Sequence, residues 1–74
     1  MISIIIPIYN EEENIIRLIE KIFKIPLKTN IIIVDDSKKP LLKLRKIKKV
    51  QYIFRGKKLG RGSAVLIGIK KALM

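Results

Sequence analysis

The chain opens on an almost unbroken apolar run, residues 2–6, that stops at Pro7 and gives way within a few positions to three glutamates. Interrupted only by Ser3, the run has strand length, and a strand apolar on both sides reads as one buried in a parallel sheet. Pro7 cannot donate to a sheet ladder and marks the strand's end. Asn10 suits a helix N-cap. Glu11, Glu12 and Glu13 fill a first turn where acidic side chains favour the positive end of the helix dipole, and Glu13 stands three residues after Asn10 as in a capping box. Ile15, Leu18, Ile19, Ile22 and Phe23 then recur at helical spacing. The helix should stop near Lys24, because Pro26 disfavours helix at Ile25. In an open parallel sheet, ligands lie beyond the carboxyl ends of the strands. Here that place is the loop of residues 7–11.

Residues 31–34 are a second continuous apolar run, hence a second buried strand, with Asp35-Asp36-Ser37 at its carboxyl end. Lys38-Lys39-Pro40 reads as a turn. Pro40 suits the first turn of a short basic helix whose apolar face is Leu41, Leu44 and Ile47, with Leu42 beside them. Residues 50–54 are rich in β-formers and read as a third strand. RGKKLGR, residues 55–61, is a loop with two glycines and four basic residues. From Gly62 or Ser63 a third helix runs on, with Val65, Leu66, Ile69, Ala72 and Leu73 as its expected buried stripe. The order β-α-β-α-β-α implies a three-layer α/β fold on a parallel sheet with right-handed crossovers, in spatial order 3-2-1, with the first strand at an edge. Residues 1–74 read as one partial domain with no second domain, since an α/β domain ending on a helix usually supplies a further strand.

Composition narrows the chemistry. A chain of 74 residues buries only ~60% of its unfolded surface and is marginal by itself. It has no cysteine, so neither a disulfide nor a thiolate metal site can help. It has no histidine, the commonest general base and metal ligand. No apolar run approaches the ~20 residues of a membrane helix. The opening run is too short, and too poor in basic flanks, for a signal peptide. A cytoplasmic chain, or one peripheral at the cytoplasmic membrane, is expected. Charge is lopsided: residues 1–36 carry a net −2 and residues 37–74 a net +13, with no acid at all in the second part. A basic half suggests an anionic partner (nucleic acid, phosphate or an acidic membrane surface), although lysines on solvated faces give the same count. Aromatic residues make up only 5%, which leaves little surface for stacking on nucleic acid bases.

Neither familiar phosphate-binding fingerprint is present. GKKLGRGS, residues 56–63, lacks the Gly-Lys-Ser/Thr of a P-loop. Gly60-Arg61-Gly62 begins a G-x-G, but Val65 stands where a dinucleotide fold needs Gly or Ala, and the first strand-to-helix turn has no glycine. A nicotinamide or flavin enzyme is therefore not expected. Asp35-Asp36 can bind a cation, accept hydrogen bonds from a base or ribose, or cap the helix expected at Pro40 through Asp36 or Ser37. Tyr9 can stack on a base or simply pack. Lys57, Lys58 and Arg61 precede a helix N-terminus able to hold an anion, or line a solvated loop.

These places line up with a known family. SIIIPIYNEEEN at the start resembles the opening of the family 2 glycosyltransferases of the GT-A fold, and IIIVDDS at 31–37 resembles their second-strand nucleotide site. RGKKLGRGSA at 55–64, followed by Gly68 and Ala72, is similar to a conserved block of the dolichyl-phosphate (polyprenyl-phosphate) mannosyltransferases. The resemblance covers nearly the whole chain. It implies the nucleotide-binding half of a GT-A domain, and transfer of a sugar from a nucleotide diphosphate sugar, GDP-mannose first, to a polyprenyl phosphate at a membrane surface. It further implies that Pro7, Tyr9 and Glu11, with Asn10 in the same loop, contact base and ribose. Val34 and Asp36 complete the base pocket, Asp35 stands beside them, and Lys57 and Arg61 lie near the phosphates. The family's Mg2+ or Mn2+ would sit on an Asp-x-Asp motif that is absent here, so no metal ligand set is visible. After Asp-Asp the family continues x-Ser-x-Asp-x-Thr, whereas this chain has Ser37-Lys38-Lys39-Pro40. An incomplete domain, inactive by itself, is the expectation, with a partner chain as one way to complete the sheet. The alternative is a small basic α/β module that binds nucleic acid or another polyanion without catalysis.

Overall fold

Ile31, Ile32, Ile33 and Val34 have no exposed surface at all, as a continuous apolar run requires when both faces of its strand are covered. The sheet is built around them. The computed structural model describes residues 2–10, 12–57 and 59–73, with backbone alone at Glu12 and Arg61. Its elements are β1 (Ile2–Ile8), α1 (Glu12–Phe23), β2 (Thr29–Asp35), a 3-10 turn (Leu42–Lys46), β3 (Val50–Phe54) and α2 (Arg61–Ala72). The strands pair in parallel in the order β1-β2-β3, as the alternation of elements implies. The register sets Ile8 opposite Asp35 and Asp35 opposite Phe54, so three strand ends meet at one rim.

Period-two alternation sorts the side chains into two cores. Ile4, Ile6, Ile8, Ile31 and Ile33, with Val50 and Tyr52, face Ile15, Ile19 and Ile22 of α1 and Leu44 of the 3-10 turn. Ile5 points the other way, against α2, where Ala64 and Gly68 are buried. The result is three layers: α1 with the turn, the sheet, and α2.

Four details depart from the sequence reading. Pro7 lies inside β1 rather than after it. Ile2 donates to Lys28 O and Ile8 O accepts from Asp36, so even-numbered residues of β1 bond to β2 and odd ones face the open edge. The missing N–H of Pro7 therefore costs no ladder bond. Asn10 does not cap α1, which starts at Glu12. It adopts φ 54, a left-handed conformation that asparagine tolerates, and turns the chain between β1 and α1. The short helix expected from Pro40 is only the 3-10 turn. Leu41, Leu44 and Ile47 recur every three residues, which is the 3-10 period and not the α-helical one. The Leu41 N–H donates to the Tyr52 hydroxyl at 2.8 Å, and no side chain caps the turn.

The fourth departure concerns α2. Val65, Leu66, Ile69 and Leu73, expected inside, are 37%, 62%, 41% and 82% exposed. The buried positions are instead the small ones. A Cβ at Gly68 would stand 2.3 Å from Ile5 Cγ2, so α2 lies closer to β1 than any side chain at that position permits. Close approach through Ala64 and Gly68 outcompetes burial of the larger residues, whose volume does not fit between helix and sheet. On α1, Leu18 and Phe23 are likewise 42% and 38% exposed, while Ile15, Ile19 and Ile22 form the buried stripe.

Candidate nucleotide site at the strand ends

Asp35 and Asp36 are neighbours in sequence with opposite surroundings. Asp35 is the last residue of β2, fully buried on the α1 side. One of its oxygens accepts from the Ser37 N–H at 2.8 Å and the other from the Tyr52 hydroxyl at 2.5 Å. Desolvation, and secondarily this bond to a carboxylate, push the Tyr52 phenol up to about 12. The Tyr52 ring also carries the Arg45 guanidinium 5.5 Å from its centroid. Asp35 thus ties β2 to β3 and, through Tyr52 and Leu41, to the 3-10 turn.

Asp36 lies on the α2 side. Its N–H donates to Ile8 O at 3.0 Å. Its carboxylate receives Arg55 Nε at 2.6 Å and Arg55 Nη2 at 2.8 Å, a bidentate pair with side chains 8% and 6% exposed. The Leu59 N–H adds a third bond at 3.2 Å. The Arg55 hydrogen bond, ahead of the opposing effect of burial, holds the Asp36 carboxyl below its usual range and raises the guanidinium above its own. Arg55 also donates to Ser63 Oγ at 2.8 Å and to Gly60 O at 3.3 Å. One arginine therefore locks the end of β2 to the start of α2. The entry to α2 is Gly60, at φ 93, with no side-chain cap and no acid in the first turn. A helix start of that kind carries unsatisfied N–H groups and a positive dipole end.

The β1–α1 loop closes onto the same place. The Asn10 N–H donates to Ser37 Oγ at 2.7 Å. Ser37 therefore bridges the first two strand ends rather than capping a helix at Pro40. Tyr9 is 41% exposed at the rim and Asn10 is exposed, whereas Pro7 is half-buried. Val34 is fully buried, one residue short of the rim. Lys57 is exposed on the loop between β3 and α2. Glu11, Lys58 and the Arg61 side chain lie outside what the structure describes. The fold thus gathers Tyr9, Asn10, Asp36 and the α2 N-terminus at one rim. Three residues that the sequence reading did not single out complete it: Arg55, Tyr52 and Ser63. No signal in the sequence separates Arg55 from the other basic residues of its loop.

A sequence model of Glycosyl transferase family 2 matches residues 3–73. The chain belongs to glycosyl transferase family 2. No curated protein and no solved structure gives a significant match. The α/β order and the three-stranded parallel sheet agree with the N-terminal, Rossmann-like half of the GT-A fold. Family 2 membership implies a nucleotide-sugar donor and an acceptor, and the strand-end rim is where an open parallel sheet presents its ligand. The carboxylates present do not suit a divalent cation as they stand. Both oxygens of Asp35 and both of Asp36 are already hydrogen-bonded, and the partner of Asp36 is itself a cation. Among the described residues, no group of three acidic or other metal-binding side chains gathers.

Proposed function

We propose that the strand-end rim binds a nucleoside diphosphate sugar, GDP-mannose being the first candidate, for transfer of the sugar to a polyprenyl phosphate. The observation that supports this best is Asp36, held between the ends of β1, β2 and β3 and beside an uncapped helix start. In this reading Tyr9 stacks on the base, and Asp36 accepts a hydrogen bond from base or ribose. The diphosphate lies against the first N–H groups of α2, with Arg55 beside it. Pro7 and Asn10 shape the loop under the nucleoside, with Glu11 in the same loop. Lys57 and Arg61 add positive charge along the phosphates. Val34 and Asp35 act from beneath by fixing the β2 end. In the transfer, an oxygen of the lipid phosphate forms a bond to the anomeric carbon as the bond to the diphosphate breaks, inverting that carbon. The residues of this chain bind and orient the donor. Activation of the acceptor and neutralisation of the leaving diphosphate belong to groups outside this set.

Calorimetric titration with GDP-mannose, UDP-glucose and GDP is the direct test. Selective binding of the guanine nucleotides supports the donor assignment, and preference for UDP-glucose would move it to another donor. The chain alone, given radiolabelled GDP-mannose, polyprenyl phosphate and magnesium or manganese, is expected to bind without transferring. Turnover would show that the acceptor machinery is already here.

A further inference from the structure

The 3-10 turn has a use that the strand-end site does not absorb. Its three-residue period sorts it into rows. Leu41, Leu44 and Ile47 form the inward row, with Leu44 fully buried. Everything else faces out: Leu42 at 61% exposure, together with Lys43, Arg45 and Lys46, all exposed. Lys38 and Lys39 on one side and Lys48 and Lys49 on the other are exposed as well. Twelve consecutive positions, 38–49, thus present seven cations and no acid. Glu13 of α1 shares an open hollow with Lys43, Arg17 and Ile16, and Asp35 of β2 lies buried beneath the turn, bonded to Tyr52. The patch lies on the α1 side of the sheet, opposite the apolar outer surface of α2.

We infer that this turn is a docking surface for an anionic lipid bilayer, with Leu42 entering the headgroup region and the surrounding lysines and arginine holding the lipid charges. Charge complementarity selects a polyanion, and Leu42 selects among polyanions. A large apolar side chain standing out of a ring of cations gains by leaving water at a membrane interface and gains nothing against a phosphate backbone. The nucleic acid alternative also lacks its usual parts. The turn has five residues, too short to fill a groove, and it displays no aromatic side chain of its own. Basic side chains near an anionic leaflet each strengthen binding by about fivefold at physiological salt. The inference does not depend on the nucleotide reading.

The test is sedimentation of the chain with vesicles of phosphatidylcholine alone or with about a third phosphatidylglycerol. Binding should appear on the anionic vesicles only and fall with added salt. The variant Lys46→Glu/Lys48→Glu should lose at least about 25-fold in partition, two cations' worth. Lys70→Glu/Lys71→Glu on α2 changes net charge equally and should retain most of the binding. Leu42→Ser should lose several-fold while its salt dependence stays. Equal losses for the two charge-reversal pairs would mean that net charge acts and the patch does not, and would overturn the assignment. So would unchanged binding of Lys46→Glu/Lys48→Glu, or a salt-sensitive complex with a random oligonucleotide that this variant abolishes while the vesicles bind nothing. Circular dichroism of each variant separates loss of binding from loss of fold.

Discussion

The side chain of Arg55 makes four hydrogen bonds, two to Asp36 and one each to Ser63 and the Gly60 carbonyl. In the sequence it was one of four basic residues in a glycine-containing loop, with nothing to separate it from Lys57 or Lys58. Only a partner does that, and partners at a strand end come from other strands. The different fates of Asp35 and Asp36 were more accessible, because alternation puts adjacent residues on opposite faces. Asp36→Asn and Arg55→Gln should each cost about 2 kcal/mol, and the double variant less than their sum, because both remove the same charge-assisted pair. Urea unfolding midpoints measure this. The acid side follows from the sign of the shift. The folded pKa of Asp36 is depressed, so its contribution is present above the unfolded value of 3.8 and is lost as pH falls through the lower folded value. Asp36→Asn should flatten that part of the stability profile. Tyr52 behaves in the opposite sense: its pKa is raised from 10.0 to about 12, so its contribution is complete below 10 and disappears as pH climbs toward 12. Tyr52→Phe should be less stable at neutral pH and should lack the alkaline decline. A decline of equal size in that variant would locate it elsewhere.

The first two strands were readable as nearly continuous apolar runs with a chemical stop, and the third by its β-formers. The two α-helices were readable in position but not equally in orientation. In α1 the helical spacing identifies Ile15, Ile19 and Ile22 correctly, but Leu18 and Phe23, read as part of the same stripe, are exposed. In α2 hydrophobicity points to Val65, Leu66, Ile69 and Leu73, and the contact runs through Ala64 and Gly68. Size decides there, and the required approach depends on the neighbouring Ile5. Gly68→Ala should therefore destabilise the protein by about 1–3 kcal/mol through overpacking, although alanine in an unconstrained helix would gain about 1 kcal/mol over glycine. Combining it with Ile5→Ala should recover part of the loss, because the methyl groups in conflict are gone. Thermal melts of the three variants settle the point, and additive losses would mean that Gly68 and Ile5 do not clash. The 3-10 turn was missed for a simpler reason. Three apolar residues at a strict spacing of three fit a 3-10 period, and a basic segment with no capping residue does not extend into an α-helix.

Across the whole chain, β1 combines an apolar sequence with an open edge. Ser3, Ile5 and Pro7 turn their backbone groups away from β2, and no strand pairs there among the described residues. Such an edge templates association, so the isolated chain should self-associate. Ser3→Pro removes an outward N–H and should reduce that association in sedimentation velocity without loss of fold, as Pro7 already shows such a position to be tolerated. Ile4→Pro removes an inward ladder bond and should unfold the chain. Similar behaviour of the two would disprove the assigned direction of the edge. The proposed nucleotide site depends on all three strand ends and the start of α2 meeting at one rim. Amide shift mapping by NMR during titration with GDP addresses it most directly. Shifts are expected at Tyr9, Asn10, Asp36, Ser37 and residues 59–63, with affinity weakened about tenfold or more by Asp36→Ala if a buried hydrogen bond to the nucleoside is lost. Shifts confined to residues 41–49, with the strand ends silent, would contradict it.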